Sequence, residues 1–442
     1  TYERSYWQFQ NFKANFRPQI RLNATIPTFY RMINPITQPD GSIEFRRISQ
    51  ANNSLGINVV QNIGLTGGTL LAGTRLQRTD NFSGNESSYF LSTPFTLAYQ
   101  QSSLLYNELR WRKQLEPLLY QTAEKAYAEE MESAALEAAT LFLNALVAQA
   151  DEQIAKTNLA NTDTLYLISK ERYALGTIAR NDLLQLELNV LKAQNIWNDS
   201  RITKEVTSRN LKRILGIPVQ DSLLFAIPLV KSRVVADYNR AMDEARENRQ
   251  TVLEFRTRRL QAEQQIAQAK GQNSLQFSLN ANIGTQQTAP QFADAYRNLQ
   301  NQQYIGVTFD LPIQDWGYRK SQIRLSQANR ELVEVNVQQE ELKFEQEIYL
   351  QVLQFNQQYN QLMVTQKADT VARERFNSTK ERYLLGKVTV TDLNLALEEN
   401  VSAGKAYIDA LRTYWIAHHT LRRLTLYDFI RNETLYYKTN GK

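Results

Sequence analysis

Lys170-Glu171-Arg172-Tyr173-Ala174-Leu175-Gly176 returns 210 residues later as Lys380-Glu381-Arg382-Tyr383-Leu384-Leu385-Gly386. Six positions after each glycine stands an Asp-Leu pair, Asp182-Leu183 and Asp392-Leu393, so eight of fourteen positions are identical at one offset. Leu211-Lys212-Arg213-Ile214 meets Leu421-Arg422-Arg423-Leu424 at the same offset. A second match lies upstream. Gln19-Ile20-Arg21-Leu22-Asn23-Ala24-Thr25-Ile26 shares five of eight residues with Gln276-Phe277-Ser278-Leu279-Asn280-Ala281-Asn282-Ile283, at an offset of 257. The offsets differ by 47, so the first half carries about that many extra residues within Thr28–Ser92, a stretch rich in Gly, Asn and Ser. The chain reads as a tandem duplication, repeat one over 1–225 and repeat two over 226–442, with one insertion inside 28–92.

Outward from the glycines the chain is helical. Neither Gly nor Pro occurs from Ala123 to Leu175 or from Tyr318 to Leu385. At ~1.5 Å per residue, a helix over Ser102–Leu175 would reach roughly 100 Å. Such lengths belong to coiled coils or helical tubes, since globular helices rarely pass about 20 residues. Gly176 and Gly386 each sit alone between two long helical runs and read as hairpin tips. Leu183, Leu184, Leu186, Leu188, Leu191 and Ile196 form an apolar seam after Asp182, as do Leu393, Leu395, Leu397, Val401 and Tyr407 after Asp392. Opposite faces are rich in Glu, Gln, Lys and Asn, as suits the wall of a tube.

The upstream repeats alternate with period two. Leu275, Phe277, Leu279, Ala281 and Ile283 share one face of a strand at 275–284, and Ile305, Val307, Phe309 and Leu311 one face of a strand at 303–312. Ile20, Leu22, Ala24 and Ile26 give a third strand; Phe95, Leu97 and Tyr99 a fourth. Each has the ~9–11 residues of a membrane-spanning strand. An ordinary half-buried sheet alternates in the same way. The helices beside these strands are too long for a globular domain, however, and four strands leave two open edges, which lipid forbids. Closure then requires copies of the same chain: two would give eight strands and a filled interior, three would give twelve and a passage. Leu55–Ile63 and Leu70–Thr79 also alternate, and their place is open: longer barrel strands, an external hairpin, or packing elsewhere.

Composition narrows the function classes. The chain has 442 residues, 42% hydrophobic, a net charge of +6 spread along its length, and no cysteine. Its mean hydropathy is −0.49, and no unbroken run of eighteen apolar residues offers a transmembrane helix. Disulfides, thiolate metal sites and a lipidated Cys are excluded for the chain as it stands, and no basic block suggests nucleic acid. No signal peptide is present at Thr1, so the chain is expected to be a mature or trimmed form. His418 and His419 are adjacent on a helix, about 100° apart, and do not share a metal. No Gly-x-Ser-x-Gly elbow, Walker loop or Rossmann glycine pattern occurs, and Gly64-Leu65-Thr66-Gly67-Gly68 precedes no helix and reads as a turn. Neither an enzyme nor a cofactor site is expected. Tyr89, Phe90, Phe95, Tyr99, Tyr304 and Phe309 suit an interfacial girdle or a sheet core.

The duplication, the strand-then-helix order, the Tyr-x-x-Gly turns with Asp six residues on, Leu211-Lys212-Arg213-Ile214-Leu215-Gly216, and Leu311-Pro312-Ile313-Gln314-Asp315-Trp316-Gly317 form an ordered set. In that set the chain resembles the TolC outer-membrane efflux protein family over nearly its whole length. The resemblance implies a mainly α fold with a small β part. It implies a homotrimer whose twelve-stranded barrel in outer-membrane lipid continues into a periplasmic α-helical barrel. It further implies a passive exit duct for a tripartite efflux pump or type I secretion system. The implied partners are a periplasmic membrane-fusion adaptor, docked at tips around Leu175, Gly176, Leu385 and Gly386, and an inner-membrane RND, ABC or MFS transporter. By the same resemblance Tyr383 is the tip tyrosine, Asp182 the aspartate it bonds across the hairpins, and Asp392 one member of a constricting ring, with Tyr173 as the first-repeat counterpart of Tyr383. Two family features are missing: Leu395 replaces a second ring aspartate, and Val388 a basic residue. Fewer polar links and a weaker cation preference are therefore expected, with Arg180 a candidate substitute link.

Three carboxylates gathered by a threefold axis raise one another's pKa and favour cations. Asp182 and Asp392 equally suit helix capping after a turn, and Tyr173 and Tyr383 equally suit tip packing. The rival reading of the whole chain is a non-channel periplasmic coiled-coil scaffold or adaptor, which explains the helices but not the duplicated strands.

Overall fold

The structure is a computed structural model that describes residues 2–83, 87–218, 220–230, 233–311, 313–435 and 437. Pro312 of the strand-to-helix motif lies outside the described residues. The chain divides into two compact units, one of Thr1–Ala123 with Leu253–Gln338, the other of Glu124–Val252 with Gln339–Lys442.

The first unit is built on one antiparallel sheet in strict sequence order: β1 (Gln19–Thr37), β2 (Ile43–Ile63), β3 (Gly68–Asn81), β4 (Ser87–Gln101), β5 (Gln276–Ala289) and β6 (Gln300–Asp310). The sequence count of four strands thus becomes six. The two stretches left open inside 28–92 are central strands of the same sheet, with β2 paired to β1 and β3 to β4. Alternation over Leu55–Ile63 and Leu70–Thr79 carried that information, but no repeat partner marked where the two stretches pair. Bulges interrupt β1 at Thr25/Thr28 and β4 at Ser92/Phe95. Gly284 faces the second bulge, where a Cβ would lie 2.4 Å from the Phe95 carbonyl oxygen. The β1–β2 ribbon outruns its neighbours, since β3 stops pairing at Gln50↔Asn81 while β1 and β2 continue to Thr37↔Ile43. Helix α1 (Tyr2–Ala14) packs beside the start of α2 (Glu108–Ala174), its Phe9 ring stacked 4.8 Å from Tyr120.

Helices α2 (Glu108–Ala174) and α6 (Tyr318–Leu384) have 67 residues each and contribute to both units. The first starts six residues later than expected and runs through Pro117, which removes one backbone donor. It also contains an eighteen-residue window of mean hydropathy 1.3, long and apolar enough to cross a membrane by composition. A search for an unbroken apolar run passes over such a window, because isolated polar residues punctuate it. In the second unit α2 buries Leu143, Ala145, Leu146 and Leu165.

The second unit holds α3 (Arg180–Leu215), α4 (Tyr238–Asn248) and α7 (Val390–Thr425), with the start of α5 (Gln250–Gln272). One core joins Ala241, Met242 and Ala245 of α4 to Ile348, Phe355 and Leu362 of α6 and Leu411, Tyr414, Ala417 and Leu421 of α7. The seven-residue spacing on α6 and the three-and-four spacing on α7 are those of helices packed side by side. Gly216 ends α3 in the left-handed region at φ 65°, whereas α7 ends on Leu426 at φ 51°. The second repeat therefore makes the same stop without the glycine that eases it.

Candidate functional site at the hairpin tips

Both tips close by the same backbone device. The Gly176 N–H donates to the Tyr173 carbonyl at 2.8 Å and the Thr177 N–H to the Arg172 carbonyl at 2.9 Å. Gly386 and Lys387 repeat this pair of bonds on Tyr383 and Arg382, both at 2.9 Å. This is the paired-bond helix end that needs a left-handed residue, supplied by Gly176 at φ 74° and Gly386 at φ 72°. The repeated Tyr-x-x-Gly is thus a turn signal first.

The side chains around the two turns are not equivalent. Tyr383 is 2% exposed within a cluster of Leu165, Leu186, Phe376, Val390, Leu393, Ala396 and Leu397. Its hydroxyl lies 2.7 Å from the Ser169 hydroxyl, and the Arg172 guanidinium donates to its carbonyl at 2.9 Å while sitting 5.2 Å from its ring centre. Ser169 and Arg172 belong to the first hairpin, so three contacts clasp the two tips together. Tyr173, its repeat counterpart, is 41% exposed. Within one chain Tyr383 meets the first hairpin through Ser169 and Arg172. Position 169 drew no attention in the sequence because Ser is an unremarkable helix residue. Arg172, however, stood inside the repeated heptapeptide.

The aspartates also diverge. Thr389 caps α7: its hydroxyl accepts from the Asp392 N–H at 3.1 Å, while the Asp392 carboxylate accepts from the Thr389 N–H at 3.1 Å and from its hydroxyl at 2.7 Å. The Thr389 hydroxyl and N–H hold the Asp392 carboxyl below its ordinary value, with Arg375 and Arg382 adding positive charge nearby. Asp392 remains exposed. In α3 the N-cap is Ala179, which has no side-chain oxygen to offer, and Asp182 stands in the first turn without a capping bond. Arg180 is exposed at the first position of α3. Leu175 and Leu385, at the two apices, are 78% and 69% exposed. Among the described residues no cluster of three or more His, Asp and Glu side chains is arranged for a metal ion.

The sequence profile described as "Outer membrane efflux protein" matches residues 241–425. No curated relative matches the sequence. Among solved structures, the chain is similar to the CmeC outer membrane channel of Campylobacter jejuni at 16% identity and a TM-score of 0.65, over 96% of this chain and 80% of that one. It is similar to the outer membrane protein VceC of Vibrio cholerae at 15% identity and a TM-score of 0.67, over 96% of this chain and 90% of that one. It is likewise similar to the open state of the MtrE outer membrane channel of Neisseria gonorrhoeae, at 15% identity and a TM-score of 0.64, over 96% and 84% of the two chains. At these identities the likeness speaks for the fold, which is that of outer membrane channels over 96% of the chain, while the sequence likeness to outer membrane efflux proteins covers residues 241–425.

Proposed function

We propose that the chain forms, as a homotrimer, the passive exit duct of a tripartite efflux pump or a type I secretion system, closed at its periplasmic end by the hairpin tips. One observation carries this reading. A single chain presents a sheet with an apolar face and two unpaired edges, β1 and β6, which lipid tolerates only when further copies complete it. The helices agree: α6 leaves Val335, Leu342 and Tyr349 exposed at seven-residue steps, and α3 leaves Leu184, Leu188 and Leu191 exposed. Stripes at that period seek a helical partner.

In this reading the two repeats, 1–225 and 226–442, each supply one helical hairpin. The Tyr383–Ser169–Arg172 clasp holds the hairpins closed, and Asp182 and Asp392 set the charge at the mouth. Leu175 and Leu385 offer an apolar docking point to a periplasmic adaptor, served by an inner-membrane RND, ABC or MFS transporter. The test is single-channel conductance of the detergent-purified protein in a planar bilayer. Discrete, cation-preferring steps support the duct. A protein that stays soluble without detergent and adds no conductance overturns it in favour of a coiled-coil scaffold.

A further inference from the structure

Following the ladder across the sheet shows which residues share a face. Ile20 and Leu22 of β1 stand opposite Val59 and Ile57 of β2. Those stand opposite Ala72 and Thr74 of β3, with Leu55 opposite Leu76 and Gln61 opposite Leu70. Leu70 and Ala72 then face Tyr99 and Leu97 of β4, which face Ala281 and Ile283 of β5. Ala281, Leu279 and Phe277 face Ile305, Val307 and Phe309 of β6. One apolar band therefore crosses all six strands, and its members at both edges are solvent-exposed in the single chain: Ile20 75%, Leu22 67%, Ile305 75% and Phe309 69%.

The reverse face is polar along the same ladder. It carries Arg21, Asn23, Ser54, Asn58, Arg75, Thr96, Gln100, Asn280, Asn282 and Thr308, with Val60, Leu71 and Ala98, each opposite the next, and Tyr304 as the apolar exceptions. The insertion continues both faces without a break. Because it adds a hairpin, an even number of strands, β4 keeps the antiparallel sense that β1 requires, and β6 still runs opposite to β1. β3, the shorter inserted strand, has 14 residues. At ~3.3 Å per residue and a tilt of about 40°, that crosses a hydrocarbon band of about 25 Å with length to spare.

We propose that the inserted strands β2 and β3 are barrel staves, so that β1 of each copy pairs antiparallel with β6 of the next and three copies of six strands close an eighteen-stranded barrel. The inference rests on the exit-duct reading. It differs from the twelve-stranded barrel expected when four strands per copy are counted. Barrel diameter grows roughly linearly with strand number. With ~4.8 Å between strands and a tilt of about 40°, the backbone diameter rises from about 24 Å to about 36 Å. The lumen at the membrane is then wide enough for a folded peptide segment or a large solute.

The test is electron cryomicroscopy of the full chain in lipid nanodiscs, joined to disulfide mapping in a sequence that has no native cysteine. Eighteen strands, with Leu22→Cys or a neighbouring β1 variant linking between copies to Cys at positions 305, 307 or 309 of β6, is the expected result. Twelve strands with β2 and β3 outside the wall, and a Leu22→Cys to Leu97→Cys link within one chain, would overturn the inference and leave the duct standing. Protein that forms no barrel in lipid overturns both.

Discussion

Loosening the tip clasp is the sharpest way to break the gating proposal. Tyr383→Phe removes only the hydroxyl that meets the Ser169 hydroxyl at 2.7 Å, with Tyr383 2% and Ser169 0% exposed. A buried hydrogen bond contributes about 0.5–1.5 kcal/mol net, and stranding a buried hydroxyl costs about 1–3 kcal/mol. A total near 1.5 kcal/mol is expected, on the order of a tenfold shift in the closed-to-open ratio. Ser169→Ala strands the other partner and should shift the ratio by a similar factor. The double variant strands neither, so it should fall short of the sum by about 1 kcal/mol of coupling.

The assay is open probability in planar bilayers at fixed voltage, read beside hydrogen exchange at the tips. Both single variants should open about ten times more often, with faster exchange around Leu165 and Phe376, whose side chains pack on Tyr383. Faster exchange with unchanged open probability would refute the reasoning, because the clasp would then hold the hairpins without controlling the passage.

Asp392→Asn keeps an acceptor for Thr389 while removing the charge, and reversal potentials in a salt gradient should show a weaker cation preference; an unchanged preference would place the carboxylate off the pore. Ala179→Ser gives α3 the cap oxygen it lacks and should stabilise the unit by about 1 kcal/mol in denaturant unfolding. Arg422→Ala leaves Glu132, which is fully buried and held by Arg422 at 2.8 Å, without its counter-charge. A loss of about 3–5 kcal/mol is expected, only partly relieved by adding Glu132→Gln, because Arg422 also meets the buried Asp428 at 3.5 Å. Burial pushes His418 from 6.5 down to about 4. The folded pKa is depressed for a base, so the unfolded chain binds the extra proton. Stability is complete above pH 6.5, falls between pH 6.5 and about 4, and levels below that; unfolding midpoints of His418→Gln should show a shallower slope, with His419, likewise lowered by burial, keeping the remainder.

The helices and the tips were legible because their signals are local. Two stretches without Gly or Pro mark α2 and α6, and a lone glycine in each repeat marks a turn that needs positive φ. Asp392 read as a cap from its place after the turn, whereas Thr389 takes the cap and Asp392, three residues in, closes the capping box. The sheet was only half legible. Strands β1 and β5 announced each other by identity, whereas β2 and β3 have no counterpart in the second repeat and pair only with neighbours that sequence spacing does not rank. Ser169 was invisible for a related reason: its role depends on the second hairpin, 214 positions away, lying against the first.

Duplication gave both hairpins one backbone turn, and divergence then assigned them different work. In the second repeat the tyrosine turns inward to Ser169, and the aspartate is occupied in capping its own helix with Thr389. In the first repeat Ala179 cannot cap, so Asp182 has no competing bond at the start of α3, and Tyr173 faces solvent. A link to a neighbouring copy needs groups that are at least partly exposed and not already engaged. In the proposed homotrimer that criterion gives the contacts between copies to the first repeat, through exposed Tyr173 and half-buried Asp182, and the lock within each copy to the second. Loss of the Tyr383 clasp should therefore loosen each chain without dissociating the trimer. Asp182→Ala with Tyr173→Ala should weaken the association between copies while leaving the Tyr383 clasp intact.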